Sequence, residues 1–351
     1  MKSLIDKLKK DQILSKEELI HIISSHDRET SEYLFEKARA VRHRIYGHDI
    51  FIRGLIEFTN YCSNNCYYCG IRRGNKNAQR YRLSKDDIMV CCRQGYQLGM
   101  RTFVLQGGED PYFSDDRIVD IISSIKNSFP DCAVTLSIGE KSRESYQAFF
   151  DAGADRYLLR HETANKSHYS KLHPEKMSLS DRIKCLYDLK SIGYQVGCGF
   201  MVGSPFQTAE NLSEDLLFIR ELQPDMVGIG PFIPHHDTPF RDMKSGTVEL
   251  TVFMLGLIRL MLPDVLLPST TALGTIDQMG REYGILAGAN VIMPNLSPGE
   301  VRKKYMLYDN KLSSDTEAAE NVALISKKIK AIGCNIVVDR GDHKKYKKKE
   351  E

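Results

Sequence analysis

Three cysteines stand within eight residues in Tyr61-Cys62-Ser63-Asn64-Asn65-Cys66-Tyr67-Tyr68-Cys69-Gly70, spaced C-x3-C-x2-C. Three thiolates on one short loop can converge on a single metal centre. A closed structural zinc site takes a fourth protein ligand, and no nearby cysteine supplies one; His43 and His48 precede the adjoining strand at its opposite end. A four-iron cubane is served by three cysteines, with the last iron left to an outside ligand. By spacing alone, a zinc knuckle or three unrelated core cysteines stand as alternatives.

Such a loop has to be presented by something, and the surrounding sequence alternates short apolar runs with longer amphipathic stretches, the pattern of β-α units on a parallel sheet. Eight runs read as strands: Phe51 to Phe58, Thr102 to Gln106, Cys132 to Ile138, Arg156 to Leu159, Gln195 to Met201, Met226 to Ile229, Val265 to Pro268 and Asn290 to Met293. Between them Ser84 with Asp87 makes a capping box before a stripe of Ile88, Cys91, Cys92 and Leu98, with Gly99 as the stop. Ser15 with Glu18 opens an N-terminal helix, and Leu34, Ala38, Val41 and Ile45 form a helical stripe ending at Gly47. The expected fold is α/β, a (β/α)8 TIM-type barrel over residues 49–310. A helical lead (1–48) precedes it and a helical extension with a basic tail (311–351) follows. An open doubly wound sheet is the alternative. In a barrel, chemistry sits at the C-terminal ends of the strands, and the cysteine loop directly follows the first.

Composition agrees with a folded globular chain: of 351 residues, 42% are hydrophobic and 27% charged, which excludes disordered, collagen-like and disulfide-rich classes. Net charge is +3, part of it in His343-Lys344-Lys345-Tyr346-Lys347-Lys348-Lys349, read as a frayed terminus. No broad basic footprint speaks for nucleic acid. The N-terminus lacks an h-region, and the longest apolar window, Val252 to Ile258, is broken by Arg259 well short of the ~20 residues a bilayer span needs. The expectation is therefore a cytoplasmic protein with no membrane partner, whose cysteines sit in a reducing compartment.

The triplet after the first strand resembles that of the radical S-adenosylmethionine (SAM) superfamily. The resemblance implies a 4Fe-4S cluster on Cys62, Cys66 and Cys69, with SAM chelating the open iron and giving up a 5′-deoxyadenosyl radical on one-electron reduction. Beyond the cluster-bound SAM it implies no catalytic side chain. Tyr68 matches the aromatic before the last cysteine, near the adenine. Gln106-Gly107-Gly108-Glu109 resembles the GGE motif, where glycine allows close approach to the methionyl end. Glu162, after the fourth strand, is placed to accept from ribose hydroxyls; Arg182, a fixed cation, could pair with the SAM carboxylate; Met201 completes the set of cofactor contacts. For Glu162 and Arg182 an ordinary surface ion pair is the competing reading.

Longer stretches narrow the resemblance. Ile56 to Cys62, Asp155 to Asn165, Gly228 to His235, Thr270 to Thr275 and Ala289 to Asn295 closely resemble the HydE family of FeFe-hydrogenase maturases over residues 30 to about 310. Biotin synthase and methylornithine synthase share the plan. The resemblance implies a closed cavity and a role in building the di-iron subcluster. The substrate would be a small cysteine-bound iron complex, with partner maturases and an electron donor involved. Its substrate contacts would be Arg160, Thr270, Thr271, Tyr305 and Tyr308; an Arg beside paired Thr hydroxyls also makes a reasonable carboxylate receptor.

Some family members hold a second cluster on three C-terminal cysteines, but Lys311 to Asn321 contains none, so one cluster is expected. The remaining cysteines read as small apolar residues, and His235-His236-Asp237 as a structured loop rather than metal ligands. Two other functions stay open: an amino-acid mutase resembling methylornithine synthase, and a non-catalytic carrier of an iron-sulfur unit.

Overall fold

The computed structural model describes residues 1–311 and 319–346. Three helices lead: α1 (Lys2–Asp11), α2 (Lys16–Ser25) and α3 (Arg28–Tyr46). The strands are β1 (Asp49–Ile52), β2 (Gly54–Thr59), β3 (Thr102–Gly107), β4 (Ala133–Ser137), β5 (Arg156–Leu158), β6 (Gln195–Cys198), β7 (Met201–Val202), β8 (Met226–Val227), β9 (Gly230–Pro231) and β10 (Val291–Ile292). Between and after them run α4 (Lys85–Gln97), α5 (Asp115–Ser128), α6 (Arg143–Asp151), α7 (Lys166–Leu172), α8 (Leu179–Ile192), α9 (Ala209–Leu222), α10 (Val248–Met261), α11 (Thr271–Ile276), α12 (Gly280–Leu286) and α13 (Gly299–Arg302). The C-terminal region adds α14 (Val322–Ala331) and β11 (Asn335–Val337).

Parallel pairing runs β2-β3-β4-β5-β6-β8. It continues through the bridges Met226 to Leu266 and Pro268 to Val291, and returns where Phe51 and Ile52 pair with Val291 and Ile292. The sheet therefore closes on itself as an eight-unit barrel. The seventh run, Val265 to Pro268, joins by single bridges rather than as a full strand. The first divides at Arg53, where β1 faces β10 and β2 turns to β3. Strands with both faces covered read as near-continuous apolar runs, and Phe103, Val104 and Leu105 in β3 are all buried.

The helix signals at Ser84 and Ser15 both form reciprocal capping boxes. Leu98 departs from its expected face: α4 ends at Gln97, so Leu98 is the cap residue and is exposed. Helix α10 is buried on every side because α3 and α1 lie over the face that barrel helices usually turn to water. Its Arg259 is buried, donating to the Gly288 and Pro263 carbonyls at 2.9 Å each. Among the described residues no helix is long and apolar enough to cross a membrane.

The C-terminal region, expected as helical, also contributes β11, which pairs in parallel with β1 through Asp49, Ile50 and Phe51. The tail is anchored as far as Tyr346, whose hydroxyl donates to the Tyr194 carbonyl at 3.2 Å. Residues 347–351 of the expected frayed tail, and most of the cysteine-free stretch after Lys311, lie outside the described residues.

Candidate radical SAM site at the barrel mouth

Strand β2 delivers the cysteine loop to the C-terminal mouth, and backbone hydrogen bonds fix it from several sides. The Ser63 N–H donates to the Glu109 carbonyl (2.8 Å), Tyr67 N–H to Leu172 (3.0 Å) and Gly70 N–H to Leu307 (2.8 Å). Arg80 gathers the returning chain, donating to the carbonyls of Ile71 (2.8 Å), Arg72 (2.7 Å), Asn75 (3.0 Å) and Asn60. Asn60 donates in turn to the carbonyls of Gln79 (2.9 Å) and Lys304 (2.7 Å). A loop held through so many carbonyls keeps its side chains aimed without a hydrophobic core of its own.

Cys62, Cys66 and Cys69 are half-buried free thiols. Burial pushes all three upward, reinforced at Cys66 and Cys69 by the neighbouring thiols; Cys66 rises to about 12. Each stays protonated until a metal displaces the proton. Three free cysteines from one loop suit a four-iron cubane, whose last iron is left to an outside ligand.

Gly108 packs against the loop: a Cβ there would lie 2.2 Å from the Tyr61 carbonyl oxygen and 2.7 Å from Cys62 Cβ. The Glu109 carboxylate turns away to accept from the Glu140 N–H at 3.0 Å. Tyr68 donates to His173 Nε2 (3.1 Å), whose Nδ1–H donates to the Tyr169 carbonyl (3.0 Å). Burial lowers His173 to about 3, so it stays neutral and this tautomer holds. Tyr68, Tyr67 and Met201 share one apolar group with Leu172, Phe232 and Phe240, a surface suited to an adenine ring.

Neither Glu162 nor Arg182 is a surface residue. Arg182 is buried with its Nε 2.7 Å from Glu140 Oε1. Burial works against its charge, but Glu140 and the surrounding tyrosines and carboxylates outweigh it and raise its pKa. The Arg160 Nη2 lies 3.1 Å from Glu162 Oε2. In both pairs the charges are close while the N–H directions miss the carboxylate. Arg160 Nε and Nη2, Arg182 Nε, Glu162 Oε2 and Thr270 Oγ1 are therefore buried without a hydrogen-bond partner. Buried polar atoms left open at one mouth are what a polar ligand would satisfy, and carboxylate, guanidinium and hydroxyl groups fit the ribose and amino-acid ends of SAM.

Gln106 and Tyr305 meet at 3.5 Å. Tyr305 is also linked to Lys311, which donates to its carbonyl at 3.0 Å and pairs with buried Glu57. Among the described residues no hydrogen bond joins Thr270 or Thr271 to Arg160, and Tyr308 is half-buried nearby in sequence. Sequence reasoning missed Arg80, Asn60, Glu140, His173 and Glu57. Only Asn60 carried a signal, as the polar residue two positions before Cys62.

Two other histidine groupings do not make metal sites. At the opposite end, His43, His48 and Cys334 converge, but the Arg42 guanidinium already stands among them, 2.5 Å from His43 Nε2 and 3.2 Å from Cys334 Sγ. His235, His236 and Asp309 also converge, yet His235 Nδ1 accepts from the Asp237 N–H at 3.0 Å, which leaves the proton on Nε2. That supports the structured-loop reading.

Comparison with known proteins agrees with this geometry. The model of the Radical SAM superfamily matches residues 56–219. The [FeFe] hydrogenase maturase subunit HydE of Thermotoga maritima is 45% identical over 98% of each chain. The 3-methylornithine synthase of Methanosarcina barkeri is 30% identical over 88% of this chain and 87% of its own. The crystal structure of methylornithine synthase (PylB) superposes with a TM-score of 0.83 at 25% identity, covering 95% of this chain and 97% of that one.

Proposed function

The chain belongs to the radical SAM superfamily and, within it, to the family of the [FeFe] hydrogenase maturase subunit HydE, and we propose that it cleaves SAM reductively during assembly of the FeFe-hydrogenase di-iron subcluster. Cys62, Cys66 and Cys69 would hold one 4Fe-4S cluster. When bound, that cluster supplies the electron that breaks the sulfonium S–C5′ bond of SAM and yields a carbon-centred radical.

The chain's own residues do the rest. Glu162 accepts from ribose hydroxyls and Arg182 faces the methionyl carboxylate. Tyr68 and Met201 bound the adenine, and the backbone at Gln106, Gly107, Gly108 and Glu109 meets the amino end. Deeper in, Arg160, Thr270, Thr271, Tyr305 and Tyr308 receive a small anionic substrate, a cysteine-bound iron complex, handed on by a partner maturase; a separate protein donates the electron. The observation that carries the reading is the clamped thiol triangle beside buried, unpartnered polar atoms at the mouth of a closed barrel.

Reconstituted without oxygen, the protein should bind about four irons per chain and release 5′-deoxyadenosine with dithionite and SAM. Cys66→Ala should fold yet release none. Parental turnover by that variant, or about eight irons per chain, would refute the assignment. A second reading, an amino-acid mutase, is favoured by the likeness to methylornithine synthase. Conversion of lysine to an isomer under the same conditions would select it.

A further inference from the structure

Glu162 holds φ at +65°, a left-handed conformation that a residue bearing a Cβ adopts only when its surroundings impose it. Those surroundings are visible. The Glu162 N–H donates to the Gly199 carbonyl at 3.0 Å, and the Gly199 N–H donates back to His161 Nδ1 at 3.4 Å. Glu162 also bridges to Phe200. Gly199 is required for this contact, since a Cβ there would stand 1.9 Å from the Gly228 carbonyl oxygen.

The other side of the turn is gripped by α9. Asp215 Oδ1 accepts the Ala164 N–H at 2.5 Å, and the neighbouring Glu214 accepts from Asn165 Nδ2 at 2.6 Å. His161 and Asp215 are both fully buried. Because His161 Nδ1 accepts, its proton is on Nε2, which stands 3.6 Å from Asp215 Oδ1. The ring lies edge-on to Phe218 at 4.8 Å. Burial lowers His161 to about 3 and pushes Asp215 well upward, so both are driven toward their uncharged forms. An apolar pair would fill this space without leaving His161 Nε2 and Asp215 Oδ2 unpartnered, as they are here. What polar groups achieve and apolar ones cannot is to hold the Ala164 N–H of the strained turn and the Gly199 N–H that faces it.

We propose that His161 and Asp215 are positioning residues for SAM: between them they hold the turn that aims the Glu162 carboxylate into the barrel mouth. The proposal rests on the reading of Glu162 as the ribose acceptor. It predicts an effect on SAM binding rather than on the cluster, because neither residue touches the cysteine loop through any described hydrogen bond.

The test uses the full chain carrying its reconstituted cluster, with iron content and the KM and kcat for 5′-deoxyadenosine release measured together. Asp215→Ala should raise the KM for SAM about tenfold, roughly the effect of one hydrogen bond, at unchanged iron content. Asp215→Asn, whose amide oxygen still accepts from Ala164, should stay within about twofold. His161→Phe, which keeps the ring and strands the Gly199 N–H, should match Asp215→Ala and serves if that variant does not fold. Because Asp215 acts through Glu162, Asp215→Ala with Glu162→Ala should be no weaker than Glu162→Ala alone. A parental KM in folded Asp215→Ala and His161→Phe, or effects that multiply with Glu162→Ala, overturns the positioning role. A parental KM in Glu162→Ala itself overturns the ribose-acceptor reading instead.

Discussion

Gly108 shows how little room the site leaves at the scale of one atom. Its backbone is flush with the Tyr61 carbonyl and the Cys62 Cβ, the nearest approaches being to main chain that cannot swing away. Gly108→Ala should therefore displace Cys62 from the thiol triangle. The expected result is a large loss of iron per chain after anaerobic reconstitution, with destabilisation of about 1–3 kcal/mol by urea titration. Gly228→Ala is the control, since its new Cβ meets nothing nearer than the Cys198 carbonyl oxygen at 3.9 Å; equal iron loss in both would sink the argument. The cysteine spacing was readable in the sequence because one loop carries all the ligands. Arg80, Glu140 and Asp215 were not, because each works by reaching a carbonyl, a charge or an N–H that only the folded chain brings near.

At the scale of elements, the segment from α13 to Lys311 folds back over the cysteine loop. Leu307 accepts from Gly70 (2.8 Å), and the Asp309 N–H donates to the Pro234 carbonyl (3.0 Å). His235 packs on Gly70, where a Cβ would lie 2.3 Å from its ring. The outer fastening is His236, whose Nδ1 lies 2.6 Å from Asp309 Oδ1 and whose Nε2 lies 3.3 Å from Asp237. The hydrogen bond to Asp309 raises His236 above 6.5. The pair then stabilises the fold fully below that value, and the contribution disappears as pH rises through the folded-state pKa. His236 is 69% exposed, so screening limits the effect to a few tenths of a kcal/mol. His236→Ala should lower the urea midpoint at pH 6 and leave it unchanged at pH 9; the opposite pH trend would refute the pairing. Helix and strand positions followed from capping and apolar runs. The reduction of Val265 to Pro268 to single bridges did not, because a run encodes burial while pairing depends on how the ring closes. Nor did β11, whose short Ile336-Val337-Val338 run carries too little periodicity to stand out.

For the whole molecule, the end of the barrel opposite the cysteine loop matters as much as its mouth. It is closed by the chain's own C-terminal segment. Arg156, buried at the floor, pairs with Asp342 at 2.5 Å and donates to Thr102 Oγ1 at 2.8 Å. Arg53, also buried, donates to the Gly341 carbonyl at 3.1 Å. Gln195 donates to Asp342 at 2.7 Å, and Arg340 ties the same carboxylate to Asp155. Burial alone would raise the Asp342 pKa, but Arg156, Arg340 and Gln195 hold it well below 3.8. Its stabilising contribution is thus complete above the ordinary carboxylate range and lost only as pH falls below it. Removing one partner of a buried pair leaves an uncompensated charge. Asp342→Ala should therefore cost roughly 3 kcal/mol in anaerobic urea titrations at pH 7, and less only as the pH is taken below 3.8. Because the described partners of Asp342 all lie at the floor, the KM for SAM of the folded variant should equal the parent's. A KM that rises in step with the lost stability would mean that the two ends are coupled, and that the C-terminal segment shapes the site instead of sealing the space beneath it.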